Sequence, residues 1–395
     1  MQIKIKQGVT LDYISELYDD ICLKPPFGNK IDIQLPRKFI NSDISVEFSF
    51  LQFIASWIRK EYSGDLILPV SEEELNLYFN QDFVYPTVVL SWEKNIYDIN
   101  SSNIKKPLKK ISQNYFERME YLKHKSKNLN SIPIYSFDHD ISKRGLTRYF
   151  YGTNNKLVTE ETLDFNFYPV FEKIGEFYSR AFFKNSIRPC LSDFLAIIHE
   201  LYMNTDQHAR TDENGFNLYP NIRAVNLQFH KRQLKKQVKL YETNPGLVNF
   251  FESNIPLNDE SQVYLFEISI LDSGPGFVKR YSKIDDLHSI SINEEVEIVK
   301  ECLYRHNTSS QTIESMIKGK GLSRILRILN KKGLLRIKTG RIDVYRDLRN
   351  NPFEGSKESS DIELVDWVSS STNYTINKAC DGALLSIIYP LELEI

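Results

Sequence analysis

The sequence predicts a mixed α/β protein. Two observations predict it: segments in which apolar and polar residues alternate, as in half-buried strands, and longer segments in which apolar residues recur at helical spacing. Both kinds are interleaved along the 395 residues. A polar stretch at 126–131 marks a boundary. We therefore predict a smaller mixed α/β unit at 1–130, suited to partner docking or oligomerisation, and a larger unit at 131–395.

Composition and charge restrict the function classes. Charged residues make up 26% and apolar residues 41%, which is typical of a globular chain. Lys and Arg total 50 against 52 Asp and Glu, so the whole chain is not a strongly basic nucleic-acid binder. The four cysteines are far apart and form no Cys-x-x-Cys pair. This favours a reducing cytoplasm over a zinc site or a disulfide framework.

The first unit shows strands, a buried helix and a capping box. Alternation predicts strands at 1–6, 31–35 and 66–70. A mostly buried helix is predicted at Phe48–Lys60. Its apolar run is interrupted by Ser49, Gln52 and Ser56 and is too short to cross a bilayer, so no membrane contact is expected. Ser71–Glu74 is a capping box that opens a helix through Tyr78.

Two later segments of this unit allow different interpretations. Phe83–Trp92 is rich in β-branched and aromatic residues around Pro86, which favours an edge strand. Lysines precede an amphipathic stretch at 111–122. That pattern is typical of a solvated helix face, but a phosphate-backbone or acidic-partner contact is the alternative, so a nucleic-acid partner stays open.

The second unit alternates helices and strands, and it contains the polar motifs. Helices are predicted at 159–183, from Ser192 toward Ala209, and from Gly321 to Gly333. Strands are predicted at 222–229, 263–271, 334–339 and 383–389.

The first motif places Glu200, Asn204 and His208 at i, i+4 and i+8, along one face of a helix. A carboxylate, an amide and an imidazole in a row are unsuited to burial without partners. An amide oxygen suits Mg²⁺ that also holds phosphates, and a carboxylate one turn away can deprotonate a water. On spacing alone, an ordinary amphipathic helix is the plainer interpretation.

The second motif, Asp272-Ser-Gly274-Pro-Gly276, follows directly after an apolar strand. An aspartate there can accept a hydrogen bond from an exocyclic amine, and the glycines let backbone approach a planar ring. The third motif, Gly319-Lys320-Gly321-Leu322, opens a helix whose N-terminus can hold an anion, although it is not a Walker A sequence. Each motif alone is equally typical of a turn.

In this order and spacing, the motifs resemble the GHKL superfamily of ATPases and kinases over residues 160–395. Glu200–His208 is similar to the N box, Asp272–Gly276 to the G1 box, and Gly319–Leu322 to the G2 box. Asp381–Pro390 is similar to the last strand of the family. The resemblance implies a Bergerat fold: a two-layer α+β sandwich, with helices on one face of a mixed sheet. It implies ATP and Mg²⁺ as cofactors.

The resemblance also implies roles for individual residues. Glu200 matches the general base of hydrolysing members, Asn204 the Mg²⁺ ligand, and Asp272 the acceptor of the adenine amine. A lid is expected at about 281–318. The remaining expected nucleotide-binding residues are His208, Gly274, Gly276, Thr308, Ser309, Gly319, Lys320, Gly321 and Leu322.

Three departures from the family pattern stand out. Ala383 replaces the Thr that many members carry after the glycine of the last strand, which puts adenine recognition at that point in doubt. Insertions are expected near 231–257 and 347–380, where polar residues suit partners or solvent.

Three functions remain open on this sequence. The chain could hydrolyse ATP with lid closure as a switch, in a bacterial regulatory or defence system with a protein partner encoded nearby. It could act as a kinase on a separate protein, as anti-sigma serine kinases do. It could bind nucleotide without turnover. Autophosphorylation is disfavoured because His124 and His139 lack a long dimerising helix. A homodimer is also possible.

Overall fold

The computed structural model describes residues 1–23, 25–26, 28–40, 44–123, 130–138, 145–304, 321–353, 355 and 358–392. These residues form a mixed α/β protein with two sheets, one of four strands and one of seven. The four-stranded sheet lies in the N-terminal part of the chain, and the strands of the seven-stranded sheet begin at Ser131.

The N-terminal unit is a parallel sheet in the order β1-β2-β3-β4, with helices in the connections. Its strands are β1 Gln2–Lys4, β2 Ile31–Gln34, β3 Ser63–Ile67 and β4 Ile96–Tyr97. Its helices are α1 Leu11–Cys22, α2 Val46–Ile58, α3 Leu75–Tyr78, α4 Val84–Leu90 and α5 Lys105–Glu120. The predicted strands, the buried helix and the capping box at Ser71 are confirmed, with shifts of a few residues at the ends.

The edge strand expected at Phe83–Trp92 is wrong, because Val84–Leu90 is helix α4. Its β-branched and aromatic side chains are buried against α2 and α5, so tertiary packing outweighs their strand propensity. Pro86 lies in the first turn of α4, where the backbone nitrogen has no partner within the helix. A proline that signalled an edge strand is therefore compatible with a helix start.

The second sheet has the order β10-β9-β8-β11-β7-β6-β5. Its strands are β5 Ser131–Phe137, β6 Ile222–Gln233, β7 Gln262–Asp272, β8 Leu334–Gly340, β9 Ile342–Asp347, β10 Val365–Asp366 and β11 Cys380–Pro390. Every pairing among its described strands is antiparallel, so the mixed sheet that the resemblance implies is not found. The last strand of the sequence lies in the middle of this sheet.

The helices among the described residues of this part of the chain are α6 Glu160–Tyr178, α7 Arg180–Phe182, α8 Leu191–His208, α9 Leu234–Leu240, α10 Pro245–Glu252, α11 Gly276–Ser282, α12 Ile292–Leu303 and α13 Gly321–Ile328. The expected insertion at 231–257 holds the end of β6 together with α9 and α10, and the one at 347–380 holds β10. The N-cap of α8 is Cys190 rather than Ser192, because a short 3₁₀ turn runs directly into the helix.

Both faces of the seven-stranded sheet are covered. Along β7, Phe266, Ile268 and Ile270 point into a core shared with α6 and α8. The alternate residues point the other way, where Leu271 joins the core of the N-terminal unit and α2 packs across β7 and β11. The two-residue period of a strand therefore divides β7 between a helix layer and the N-terminal unit. The second face explains why β7 is apolar throughout most of its length.

Candidate functional site

Helix α8 presents Glu200, Asn204 and His208 on its half-buried side, as the spacing predicts. Ile197, Ile198 and Leu201 are buried on the side that faces the sheet. The two faces separate because residues four apart stack on consecutive turns. The polar row therefore lies at the edge of the helix layer.

Asp272 ends β7, and its carboxylate is buried in the turn that follows. Its Oδ1 atom accepts a hydrogen bond from the Gly274 N–H at 2.8 Å. Burial raises the pKa of Asp272 to about 6, while hydrogen bonds from the backbone of Gly274 and Ala383 and the charges of Arg59 and Arg223 act against that rise. The group is thus a charged acceptor at neutral pH and becomes a protonated, weaker acceptor in mild acid.

Glycine backbone packs tightly around Asp272. A Cβ atom on Gly274 would lie 2.6 Å from the Cα of Ala209, the residue that caps α8. Gly382 has φ +77°, and a Cβ there would lie 1.9 Å from the backbone oxygen of Asp272. Neither distance accommodates a side chain. The two glycines therefore allow the turn after β7 to touch both β11 and the end of α8.

A second contact joins the same turn to α8. Arg280 on α11, the helix that begins at Gly276, donates from Nε to the backbone oxygen of His208 at 2.8 Å. Burial and the charges of Arg280 and Lys283 lower the pKa of His208 to about 4, so its ring is neutral at pH 7. The last turn of α8 and the Asp272–Gly276 turn therefore form one packed unit.

The other end of the polar row meets α13. Arg324 donates from Nη1 to Oε1 of Glu200 at 2.9 Å and lies 3.2 Å from a carboxylate oxygen of Glu160. The side chain of Glu200 is 13% exposed, and that of Arg324 is 43% exposed. The expected base is thus held in an ion pair.

The third motif lies only partly within the described residues. Gly321 and Leu322 begin α13, and Leu322 packs partly buried against the main core. Thr308, Ser309, Gly319 and Lys320 lie outside the described residues, as do His124 and His139. The remaining expected residues lie in two regions next to α8. Asp272, Gly274 and Gly276 lie near its C-terminus, and the start of α13 lies beside Glu200.

A buried ionic network that was not predicted lies beside this site. Arg223 on β6 is fully buried and pairs in register with Asp272. It donates to Asp138 at 3.0 Å and to Asp206 of α8 at 2.7 Å. The one sequence signal for this network is Arg223 itself, an arginine inside an apolar strand segment, because a buried arginine requires charged partners. The network fixes α8 against the sheet next to Asp272.

Thr339 is a second residue that the motif comparison missed. It pairs with Ala383 across β8 and β11, and its hydroxyl donates to the Gly382 oxygen at 3.0 Å and accepts from the Phe277 N–H at 3.2 Å. A buried threonine hydroxyl therefore lies on the strand next to the alanine that departs from the family pattern. Together, these two hydrogen bonds connect the Gly276 turn to the start of β11 through Thr339.

Comparisons with protein-family models, curated proteins and solved structures found no match to this chain. Among the described residues, no cluster of histidine, cysteine and carboxylate side chains has the geometry to hold a metal ion. Within those same ranges, no helix is long and apolar enough to cross a membrane. The four cysteines are all free thiols.

Proposed function

We propose that the chain binds ATP with Mg²⁺ in a Bergerat-type pocket and hydrolyses it. One observation carries the proposal. The turn after β7 packs against the C-terminal end of α8, and α13 ion-pairs with Glu200 on the same helix. Segments far apart in sequence thus meet on α8, one near its C-terminus and one at Glu200.

The chemistry of each group fits this role. The buried Asp272 carboxylate can accept a hydrogen bond from the exocyclic amine of adenine, and the packed glycines at 274 and 276 hold the turn that carries it. The Asn204 amide oxygen, one turn from Glu200, suits Mg²⁺, which binds few protein ligands alongside phosphates. The N-terminus of α13, which begins at Gly321, suits the phosphates themselves.

Glu200 is the group for which hydrolysis requires a rearrangement. We propose that phosphate binding near α13 draws Arg324 away from Glu200 and that the freed carboxylate accepts a proton from the attacking water. Glu200→Gln should retain ATP binding and reduce phosphate release by about 10²-fold or more. Measurement of phosphate release together with nucleotide affinity tests this. Unchanged release would remove Glu200 as the base.

Magnesium dependence tests Asn204 separately. Asn204→Ala should remove the difference in ATP affinity between buffers with and without Mg²⁺, since it deletes the proposed ligand oxygen. Gln207→Ala is the matched control, because Gln207 is an exposed amide on the same helix. An Mg²⁺ effect that is equal in wild type and in both variants would contradict the assignment.

Nucleotide binding without turnover is the second candidate, and the Glu200–Arg324 ion pair favours it. If the pair persists with ATP bound, the carboxylate stays engaged and the nucleotide acts as a ligand that fixes one conformation. Phosphate release no faster than in Glu200→Gln, together with normal affinity, would support this candidate over hydrolysis.

A further inference from the structure

Helix α2 carries a polar stripe through an otherwise apolar surface. Gln52, Ser56 and, at its C-cap, Arg59 are spaced i, i+4 and i+7, so they lie on one face. Gln52 and Ser56 are fully buried. A polar group in such a core needs a partner. In the sequence these residues were only interruptions of an apolar run. In the structure they face the strand ends of the second sheet.

Gln52 and Ser56 contact the backbone of that sheet. Gln52 donates from Nε2 to the Lys338 oxygen of β8 at 3.3 Å. The Ser56 hydroxyl accepts from the Asp381 N–H of β11 at 2.9 Å and donates to the backbone oxygen of Gln52 at 3.0 Å. The N-terminal unit therefore holds the start of β11, one residue before the tightly packed Gly382.

Arg59 reaches the turn that carries Asp272. Its Nη1 donates to the Gly274 oxygen at 3.3 Å and lies 3.8 Å from Asp381. Its Nη2 lies 3.5 Å from both the Ser273 hydroxyl and the Pro220 oxygen. The side chain is 17% exposed. A planar guanidinium presents five N–H donors in a fixed fork, whereas a lysine ammonium presents three from a single atom.

We propose that Arg59, supported by Ser56, is a positioning residue through which the N-terminal unit completes the adenine end of the nucleotide site. This rests on the proposed function. Arg59 and Ser56 hold the Asp272–Gly276 turn and the start of β11 against each other. The Asp272 carboxylate that would accept the adenine amine lies in that turn. Movement of the N-terminal unit therefore changes nucleotide affinity, and nucleotide binding in turn biases the position of that unit.

The charges around Asp272 give the proposal a second readout. The cationic side chains that face it are Arg59 from α2, Arg223 from β6 and Arg280 from α11. Burial raises the pKa of Asp272, and Arg59 is among the groups that oppose the rise. Removal of Arg59 should therefore move the acid limb of ATP binding to higher pH. A residue with only a packing role would not move it.

The experiment compares Arg59→Ala, Arg59→Lys and the neighbouring control Lys60→Ala in the full chain. For Arg59→Ala we expect ATP to bind about tenfold more weakly, with the midpoint of its pH dependence shifted upward. Arg59→Lys keeps the charge but loses the planar set of N–H donors. Its ATP affinity should therefore be intermediate, and the midpoint of its pH dependence should be near that of wild type. Lys60→Ala should match wild type in both. Should Arg59→Ala fail to fold, Arg59→Lys still carries the test.

Hydrogen exchange without nucleotide separates this proposal from the proposed function. Backbone amides at 272–276 and 381–383 should exchange faster in Arg59→Ala than in wild type and Lys60→Ala, since the tether is lost. If the wild type binds no ATP, the nucleotide proposal fails whatever Arg59 does. If the wild type binds ATP but Arg59→Ala has the same affinity, pH midpoint and exchange rates, the positioning role is wrong.

Discussion

The two ends of the polar row on α8 are built by different physical means. At the His208 end the contacts are made to backbone atoms of α8. Gly274 packs against the Cα of Ala209, and the Arg280 side chain donates to the backbone oxygen of His208. At the Glu200 end, one partly exposed arginine joins two carboxylates. Close packing is hard to deform, whereas a half-exposed ion pair contributes little stability and opens easily.

This difference suggests that the two ends of the polar row have different roles. The Asp272 end is preorganised, because glycine contacts, the buried Arg223 network and the α2 stripe hold it from several sides. The Glu200 end adjoins α13 and can rearrange at small cost. Recognition of a base requires the first property, and a switch that responds to phosphates requires the second.

The largest effect is expected from breaking the packed end. Gly274→Ala places a methyl group 2.6 Å from the Ala209 Cα, so α8 and the turn must separate. Overpacking of this kind costs about 1–3 kcal/mol, and we expect ATP affinity to fall by about tenfold to 100-fold with a lower Tm. Nucleotide titration and thermal unfolding measure both.

Gly8→Ala is the matched control for that change. Gly8 has open space around its Cα, and a methyl group there meets nothing within 4 Å. Its affinity and Tm should stay near wild type. An equal response of the two variants would show that the contact between the turn and α8 is not tight.

An intermediate effect is expected at the ion-paired end. Arg324→Ala releases Glu200, and the pair contributes about 0.2–1 kcal/mol, so phosphate release should rise by about 1.4-fold to fivefold with little change in Tm. Lys332→Ala is the control, because Lys332 also bridges to α8, through Asp193 at 2.6 Å, away from Glu200. A fall in phosphate release on loss of Arg324 would mean that its contact with the phosphates matters more than its restraint of Glu200, which would contradict the restraint as the main effect.

The smallest effect is a pH dependence of stability at His208. Its pKa is about 4 when folded and 6.5 ordinarily, so the unfolded chain binds more protons between these values. Stability should therefore fall as the pH drops from 6.5 toward 4, by on the order of 1 kcal/mol once solvent screening is allowed for.

His208→Gln isolates this contribution, because Asp272 acts in the opposite sense over the same range. The raised pKa of Asp272 means that the folded chain gains its proton first, which favours folding as the pH falls. Denaturant titrations at pH 7 and pH 5 should show a smaller loss of stability in the variant than in wild type. An identical loss would mean that His208 is not held neutral.

Local patterns predicted those elements whose own residues determine them. Helix α8 and strand β7 follow from periodicity, and the turn at Asp272 follows from its glycines. Helix α4 was missed because β-branched and aromatic residues favour strands until other helices bury them. The antiparallel pairing of the second sheet was missed too, since the order and direction of strands are set by long-range pairing that a single sequence does not display.

The residues of the site divide in the same way, into those that local patterns predict and those that act on segments distant in sequence. Asp272, Glu200 and Asn204 were identifiable because each stands in a recognisable local pattern. Arg59, Arg223, Thr339 and Arg324 were not, because each acts on a segment distant in sequence: Arg59 on Gly274, Arg223 on Asp138, Thr339 on Gly382 and Arg324 on Glu200. A buried arginine or a polar stripe signals that a partner exists without naming it.

Calorimetric titration with Mg·ATP, comparing wild type with Asp272→Asn, tests the central claim most directly. An asparagine that keeps the Gly274 contact through its oxygen turns its NH₂ toward the adenine amine, so donor meets donor. We predict saturable heat for the wild type and about tenfold to 100-fold weaker binding for the variant. No heat with the wild type, or equal affinity for both proteins, would contradict an adenine nucleotide site at Asp272.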